Sequence, residues 1–456
     1  MSIKVLIRTL ALVCIVGASV YSLLGYAPAL WQAAVISGAV VLLWATGALP
    51  EDQTALVFFA AASVLGLVGP DVIFSGFATA ALWLVFSGLV IGAAVRRTGI
   101  DRLIAAPIMS LAGASYWRAV ATVILICLVL SFAVPSSMTR TMLVIPVILA
   151  FVEGLGLGER GKNGLIVTTV LSSYYLGSGV LTANVPNMAL TGSVERNLNI
   201  HLHFADYLFA YFPILGLCKT ALAGALIAFA FRDTIRTPLD VTSAAAEFHM
   251  TRQSWVVAIV LGCALLLWIT DFWHGISPAW VALVAAIIFM FPGLDIVPLD
   301  QFGRLVNLRP LIYVGGILGL GGFIAATGLG IWIAQGLVSL AELENHGGAT
   351  ETVLLSLLSA TVGLLATHGG MAALMPSLAR ELGSASGLGL HAVIGTIVVG
   401  YSILLLPYQV PPTVVGYQMA GTPHRVAMQA TLWIGLVTAA VSVPAQLLWM
   451  RFIGVG

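Results

Sequence analysis

Apolar runs about as long as a membrane-spanning helix recur along the whole chain, and they constrain its fold more than any other feature. They fall near residues 4–24, 28–48, 54–69, 80–96, 116–153, 163–192, 205–231, 253–271, 277–293, 308–340, 350–382, 387–421 and 427–453. Charged residues make up only 8% of the chain, whereas a soluble domain has about 25%, so a water-solvated surface is excluded. We therefore predict an all-α polytopic membrane protein with about eleven transmembrane helices.

The N-terminal run resembles a secretory signal because Lys4 and Arg8 precede it. No small-residue cleavage pattern follows, and a second apolar run begins almost at once. We therefore predict that residues 1–27 form a first transmembrane helix. The four cysteines lie singly inside apolar runs without metal-ligand spacing, which predicts free buried thiols.

Basic residues predict the orientation of the chain in the membrane. Arg96 and Arg97 follow the fourth run, and Arg232 and Arg236 begin the longest polar stretch, residues 232–252. The positive-inside rule places this stretch and the N-terminus in the cytoplasm of an inner (plasma) membrane, and an odd number of spans places the C-terminus outside. A net charge of +1 gives no indication of a nucleic-acid partner.

An internal repeat divides the chain into two similar halves. Pro376 lies 230 residues after Pro146, and Pro412 lies 226 residues after Pro186, in corresponding sequence contexts. An odd number of spans in each half would invert one copy relative to the other, which is the plan of a secondary transporter with its site at the bilayer midplane. We predict repeat 1 with scaffold helices 28–115 and a hairpin and broken helix 116–231, a cytoplasmic linker 232–252, and repeat 2 with scaffold helices 253–348 and a hairpin and broken helix 349–456.

Four segments with proline, glycine or hydroxyl residues interrupt the apolar runs. We interpret residues 134–141 and 366–370 as the tips of re-entrant hairpins, and residues 177–187 and 407–413 as breaks within helices. Interrupted backbone is tolerated in a bilayer only inside protein or beside a water-filled cavity. Helix N-termini at the tips favour an anion, and freed carbonyl groups favour a cation. Ordinary kinks are the alternative, but two symmetric pairs of breaks argue against it.

Three charged or histidine side chains lie deep within apolar runs, far from the ends of the runs. Arg140 follows Ser136 by four residues and shares its helix face, so we predict that it contacts a carboxylate or sulfate; the alternative is an arginine that extends to the interface. His368 could carry a coupled proton or serve as a neutral packing group. No partner for Lys219 can be identified from the sequence. Small residues at 88 and 92, and at 315 and 319, predict close helix packing in the scaffold.

These segments, with Gly76-Phe77-Ala78, Trp83 and Arg97-Thr98-Gly99-Ile100, resemble the divalent anion–sodium symporter family of dicarboxylate, citrate and sulfate carriers. The resemblance extends from about Leu49 to Gly421. It implies a homodimer in which a transport domain moves as an elevator against a fixed scaffold. Together with the residue pattern, it predicts a substrate site formed by Ser136, Ser137, Met138, Thr139, Arg140, Asn184, Asn187, Thr367, His368, Gly369, Val410, Pro412 and Thr413. It also predicts possible Na⁺ ligands at Ser137, Ala183, Thr367 and Gln409.

Two departures from the family pattern affect the sodium expectation. Ser137 and Thr367 stand where the family has asparagine, and a hydroxyl offers only part of the hydrogen-bonding capacity of an amide. Arg140 places a fixed positive charge beside the first predicted sodium position. We therefore expect Na⁺ coupling to be weakened or replaced, with proton coupling or exchange as alternatives.

The function predicted from the sequence is secondary active transport of small divalent anions, with C4-dicarboxylates ahead of citrate and sulfate. The alternatives are a citrate–metal or arsenite carrier of the wider ion-transporter superfamily, and a channel. No cofactor other than possible Na⁺ is expected. No convergent nucleophile and base occur within the spans, so we do not expect an enzyme.

Overall fold

The computed structural model describes residues 17, 28–46, 48–100, 111, 115–235, 250–340, 348–365 and 367–454. These residues form helices and connecting turns without a strand among them, which confirms the all-α prediction. The predicted first helix within residues 1–27 lies outside the described residues except at Gly17. Most of the predicted linker, residues 236–249, and Ala366 in the second predicted tip also lie outside them.

In the first half, apolar sequence forms long helices that end at capping residues. Thr79 begins one such helix by accepting a hydrogen bond from the Leu82 backbone N–H, and Gly99 ends it in the left-handed conformation with φ 70°. The helices are α1 (Ala29–Thr46), α2 (Glu51–Leu65), α3 (Ala80–Thr98), α4 (Tyr116–Ala133), α5 (Ser137–Gly154), α6 (Glu159–Ser178), α7 (Val185–Leu198) and α8 (Phe204–Ala230). Helix α8 contains a π-helical turn, Phe212–Cys218.

In the second half, the same order of long helices, tip and break recurs. The helices are α9 (Arg252–Ile269), α10 (Pro278–Met290), α11 (Arg309–Ala326), α12 (Leu329–Leu340), α13 (Gly348–Leu365), α14 (His368–Ser386), α15 (Leu390–Ser402), α16 (Pro411–Met419) and α17 (His424–Phe452). Helix α14 includes a 3₁₀ turn, Met375–Leu378, at Pro376. Short helical turns Pro70–Ile73, Ser75–Ala78, Asp271–His274, Leu299–Gln301 and Phe302–Leu305 lie in the connections.

The apolar helices agree with a membrane protein of many spans. Among the described residues, seven helices are long and apolar enough to cross a membrane, or eight if α14 and α15, which meet at a bend of 119°, count as one span. Three shorter apolar helices, α1, α10 and α13, accompany them. The expected number of about eleven spans stays a prediction.

The two halves pack crosswise around their tips and breaks. Helix α7, which follows the first break, packs on α14, the returning arm of the second hairpin. Helix α16, which follows the second break, packs on α5, the returning arm of the first. Other helices pair outside this group, with α3 on α10 and α2 on α11. Both tips and both breaks are therefore brought into one region of the molecule.

The predicted close packing within the scaffold is present for one of the two glycine pairs, Gly315 and Gly319. A Cβ on Gly319 would lie 2.2 Å from the Ile73 carbonyl oxygen, and one on Gly315 would lie 2.8 Å from the Phe77 ring. Gly88 and Gly92 of α3 face the first hairpin instead of another outer helix. A Cβ on Gly88 would lie 2.6 Å from the carbonyl oxygen of Pro135, at the hairpin tip. At Gly88 and Gly92 the close approach is between the outer helix α3 and the first hairpin.

Candidate functional site

The first hairpin turns sharply between α4 and α5. Helix α4 ends at Ala133 because Pro135 cannot continue it, and Val134 has extended backbone with φ −122°. The Ser136 side chain then caps α5 by accepting a hydrogen bond from the Thr139 backbone N–H at 3.2 Å. The remaining free N–H groups and the positive end of the helix dipole point out of this tip.

The second hairpin tip has the same local construction. Thr367 caps α14, and its Oγ1 accepts a hydrogen bond from the Gly370 backbone N–H at 3.3 Å. The same hydroxyl lies 2.6 Å from the Tyr313 hydroxyl of α11. The second tip is thus held against an outer helix by Tyr313, a residue that no sequence motif marks.

Both predicted helix breaks are present. Helix α6 ends at Ser178, a 3₁₀ turn (Leu181–Ala183) follows, and Asn184 is extended before α7 begins with Pro186 in its first turn. The Asn187 side chain stabilises this break by donating hydrogen bonds to the Gly177 and Val180 carbonyl groups, each at 2.8 Å. The Asn184 side chain is buried and has no hydrogen-bond partner among the described residues.

In the second break, a different side chain hydrogen-bonds to the carbonyl groups that the break exposes. Helix α15 ends at Ser402, a 3₁₀ turn (Pro407–Gln409) follows, and Val410 is extended before α16 begins. The Thr413 hydroxyl donates to the Pro407 and Val410 carbonyl groups. Its position corresponds to that of Asn187 in the first break, so the two copies of the unit close their breaks with different chemistry.

One cavity of about 840 Å³ lies between the tips, the breaks and the outer helices. Eight of the predicted site residues line it: Ser136, Ser137, Met138, Thr139, Gly369, Gln409, Val410 and Pro412. The Ser137 hydroxyl makes no side-chain hydrogen bond within the part of the chain that the structure describes, so it is available to a ligand. Binding of an anion by these residues stays a prediction.

Three exposed arginines line one side of the cavity, and one of them, Arg96, was used above only to predict orientation. Arg96, Arg304 and Arg309 are part of its lining, together with the single acidic residue Glu51. Arg309 also lies 3.3 Å from a carboxylate oxygen of Asp52. Positive charges at a cleft with apolar walls attract anions and raise their rate of association.

Arg140 is fully buried and does not line the cavity. Its Nη1 donates to the Val134 carbonyl group at 2.7 Å and to that of Ala183 at 2.8 Å, and its Nη2 donates to the Ser173 carbonyl group at 2.8 Å. These carbonyl groups belong to the end of α4, the first break and α6. The guanidinium therefore connects three segments, and its predicted contact with a substrate stays a prediction.

Lys219, in α8 of the first half, has a related environment beside the second break. Its Nζ lies 2.5 Å from the carbonyl oxygen of Ser402, the last residue of α15, and 4.7 Å from the centre of the Tyr175 ring. The residue directly follows the π-helical turn in α8, a feature frequently found at functional sites. Its partner could not be predicted because Ser402 is 183 residues away in sequence.

The hydrogen bonds of His368 favour its interpretation as a neutral packing group. Its Nδ1 lies 2.6 Å from the Tyr174 hydroxyl, which donates to the Tyr401 carbonyl group, and its Nε2 lies 2.9 Å from Gln409 Nε2. Gln409 Oε1 accepts two backbone N–H groups, so its Nε2 must be a donor. His368 Nε2 is then an acceptor without a proton, and Nδ1 donates to the Tyr174 hydroxyl oxygen. A second proton, on Nε2, would oppose the Gln409 amide donor.

Comparison with known proteins gives consistent matches over nearly the whole chain. The family described as the sodium:sulfate symporter transmembrane region matches residues 2–455. An "uncharacterized transporter" of Haemophilus influenzae is 25% identical over 441 residues, covering 90% of each chain. A "membrane protein" of Cupriavidus necator is 25% identical over 405 residues, 82% of this chain and 78% of the relative. The "inner membrane protein YbhI" of Escherichia coli is 23% identical over 328 residues, 68% of each.

Proposed function

Since the chain belongs to the sodium:sulfate symporter transmembrane family, a family of multi-pass membrane transporters of anions, we propose that it is a secondary active carrier of small divalent anions, C4-dicarboxylates first, in an inner membrane. The observation that carries this proposal is the common cavity, because residues of both hairpins and both breaks line it. Two helix N-termini at one cavity suit a ligand with two anionic ends.

The lining of the cavity favours a dicarboxylate over sulfate. Its volume of about 840 Å³ admits either anion, so the lining decides between them. Apolar side chains including Val85, Leu89, Met142 and Ile312 form much of the wall, and these suit the methylene groups of a dicarboxylate better than the oxygens of sulfate.

An elevator-type movement is supported by the arrangement of the packing. The exposed arginines of the cavity lining, Arg96, Arg304 and Arg309, lie on the side that the positive-inside rule assigns to the cytoplasm. The outer helix α3 contacts the first hairpin through Gly88 and Gly92, where the surfaces are close and lack long side chains. We propose that the hairpins and broken helices move along this contact as one body, within a homodimer, and expose the cavity to the other side.

Uptake into proteoliposomes tests this function. Labelled succinate should accumulate, and excess succinate should compete more strongly than citrate or sulfate. Ser137→Ala should weaken succinate binding because it removes an unengaged hydroxyl from the cavity. Ser131→Ala is the matched control, since that hydroxyl donates within α4 to the Cys127 carbonyl group at 2.8 Å and is not part of the lining. Equal loss of binding in both variants, or sulfate as the preferred competitor, would contradict the proposal.

A further inference from the structure

The carbonyl groups released at the first tip and first break are already bound by a protein cation. A chain that turns inside the membrane exposes carbonyl oxygens, which either a bound cation or an internal donor must satisfy. At the end of α4 and at the break before α7, the donor is Arg140, through Val134 and Ala183. Ala183 is also one of the positions at which the family resemblance predicts Na⁺.

The second tip and second break are closed in the same way by other donors. Gln409 Nε2 donates to the Gly363 carbonyl group at 3.0 Å, and the Tyr408 hydroxyl donates to that of Leu364 at 2.6 Å. Lys219 Nζ contacts the Ser402 carbonyl oxygen at the end of α15, where the helix dipole favours a cation. Gln409 is itself a predicted Na⁺ ligand, but its Oε1 already accepts two backbone N–H groups.

The two buried cations have no acidic partner in the described parts of the chain. Arg140 is 0% exposed and Lys219 is 1% exposed, and neither occurs in an ion pair among the described residues. Carbonyl dipoles stabilise these charges but do not cancel them. These two positive charges, one beside each break, match in number the two negative charges of a divalent anion.

We propose that Arg140 and Lys219 are fixed cations that take the place of transported Na⁺ at the two breaks, so that the anion moves without Na⁺ as cargo. This inference rests on the proposed function, since the two charges are assigned to an anionic substrate. A Na⁺ ion on the Ala183 carbonyl oxygen would lie ~5 Å from the guanidinium, and at an effective dielectric constant near 20 the repulsion weakens its binding by about 250-fold. In this respect the protein would differ from the Na⁺-coupled transport that the family description names.

A thermal-shift titration of the purified full-length protein in detergent tests the inference directly. Unfolding is followed in NaCl, KCl and choline chloride at equal ionic strength, with and without succinate. Na⁺ alone should give no shift beyond K⁺ or choline, and succinate should stabilise equally in all three salts. A saturable shift specific to Na⁺, or a succinate shift that needs Na⁺, would overturn the inference. The absence of any shift with succinate, citrate or sulfate would instead overturn the proposed function.

Two variants test whether the Arg140 and Lys219 side chains cause the expected lack of a Na⁺ response. Arg140→Ser and Lys219→Met each remove one cation, and at least one of them should gain a saturable stabilisation by Na⁺ over choline, together with succinate affinity reduced about tenfold or more. If both variants fold and neither responds to Na⁺ nor loses succinate affinity, the two side chains do not replace the ion. The wild-type titration needs no variant, so it decides the question where loss of Arg140 prevents folding.

Discussion

Gly177→Ala tests whether the Arg140 guanidinium is held where the structure has it. A Cβ added to Gly177 would lie 2.5 Å from Arg140 Nη2 and 3.5 Å from Asn184 Nδ2. The first distance is too short for any contact, so the guanidinium must shift and lose its 2.8 Å hydrogen bond to Ser173. A hydrogen bond made by a charged group contributes about 1.5–3 kcal/mol.

The helix propensity of alanine acts in the opposite direction. Within a helix, Gly→Ala is normally stabilising by about 1 kcal/mol. The net expectation for Gly177→Ala is therefore a loss of about 0.5–2 kcal/mol, and more if the hydrogen bonds to Val134 and Ala183 are lost as well. Equilibrium unfolding in mixed detergent micelles measures this difference in the free energy of unfolding.

Gly262→Ala is the matched control for this substitution. Gly262 lies within α9, and nothing lies within 4 Å of an added Cβ, so the variant should gain up to about 1 kcal/mol. If Gly177→Ala proves as stable as Gly262→Ala, the guanidinium does not occupy the space beside Gly177, and the role given to Arg140 is wrong.

Four further substitutions test other parts of the account. Ser136→Ala removes the side-chain cap of α5 and should lower the free energy of unfolding by about 1 kcal/mol in the same assay. His368→Asn should leave the shape of the pH profile of succinate uptake unchanged between about pH 5 and 8, because the imidazole is held neutral. Gly88→Ala, whose Cβ would lie 2.6 Å from the Pro135 carbonyl oxygen, should slow uptake while succinate still stabilises the protein. Arg304→Gln should lower the initial uptake rate and weaken its dependence on ionic strength.

Matched controls separate these effects from general damage. Gly38→Ala in α1 adds a Cβ with nothing within 4 Å and should leave uptake unchanged. Arg451→Gln removes an exposed charge at the far end of α17 and should not alter the dependence on ionic strength. If Gly88→Ala transports like Gly38→Ala, α3 does not form the sliding contact. If His368→Asn shifts the pH profile, the histidine titrates during transport.

The positions of the tips and breaks could be predicted because they follow from local backbone chemistry. Proline removes an N–H and restricts the residue before it. Helix α4 therefore ends before Pro135, and Pro186 and Pro411 lie in the first turns of α7 and α16. Capping by Ser136 and Thr367 is likewise a local property of hydroxyl side chains. The all-α fold also followed from composition, since lipid allows few other structures.

The partners of the buried polar groups could not be predicted because they depend on packing between distant segments. Arg140 meets Ala183 across 43 residues, and Tyr174 meets His368 across 194. The sequence showed that Arg140 was unusual but not that backbone carbonyl groups surround it. Tyr313 carried no motif, and only the packing of α11 on the second tip shows its contact with Thr367.

Protection of two engineered cysteines by one anion tests the central claim most directly. In a cysteine-free background, Ser137→Cys reports on the first tip and Val410→Cys on the second break, and both positions line the cavity. Labelling by a small methanethiosulfonate reagent is followed as succinate is titrated. If both halves form one anion site, succinate protects both cysteines with the same half-maximal concentration. Protection of only one cysteine, or protection of the two at clearly different concentrations, would contradict the account.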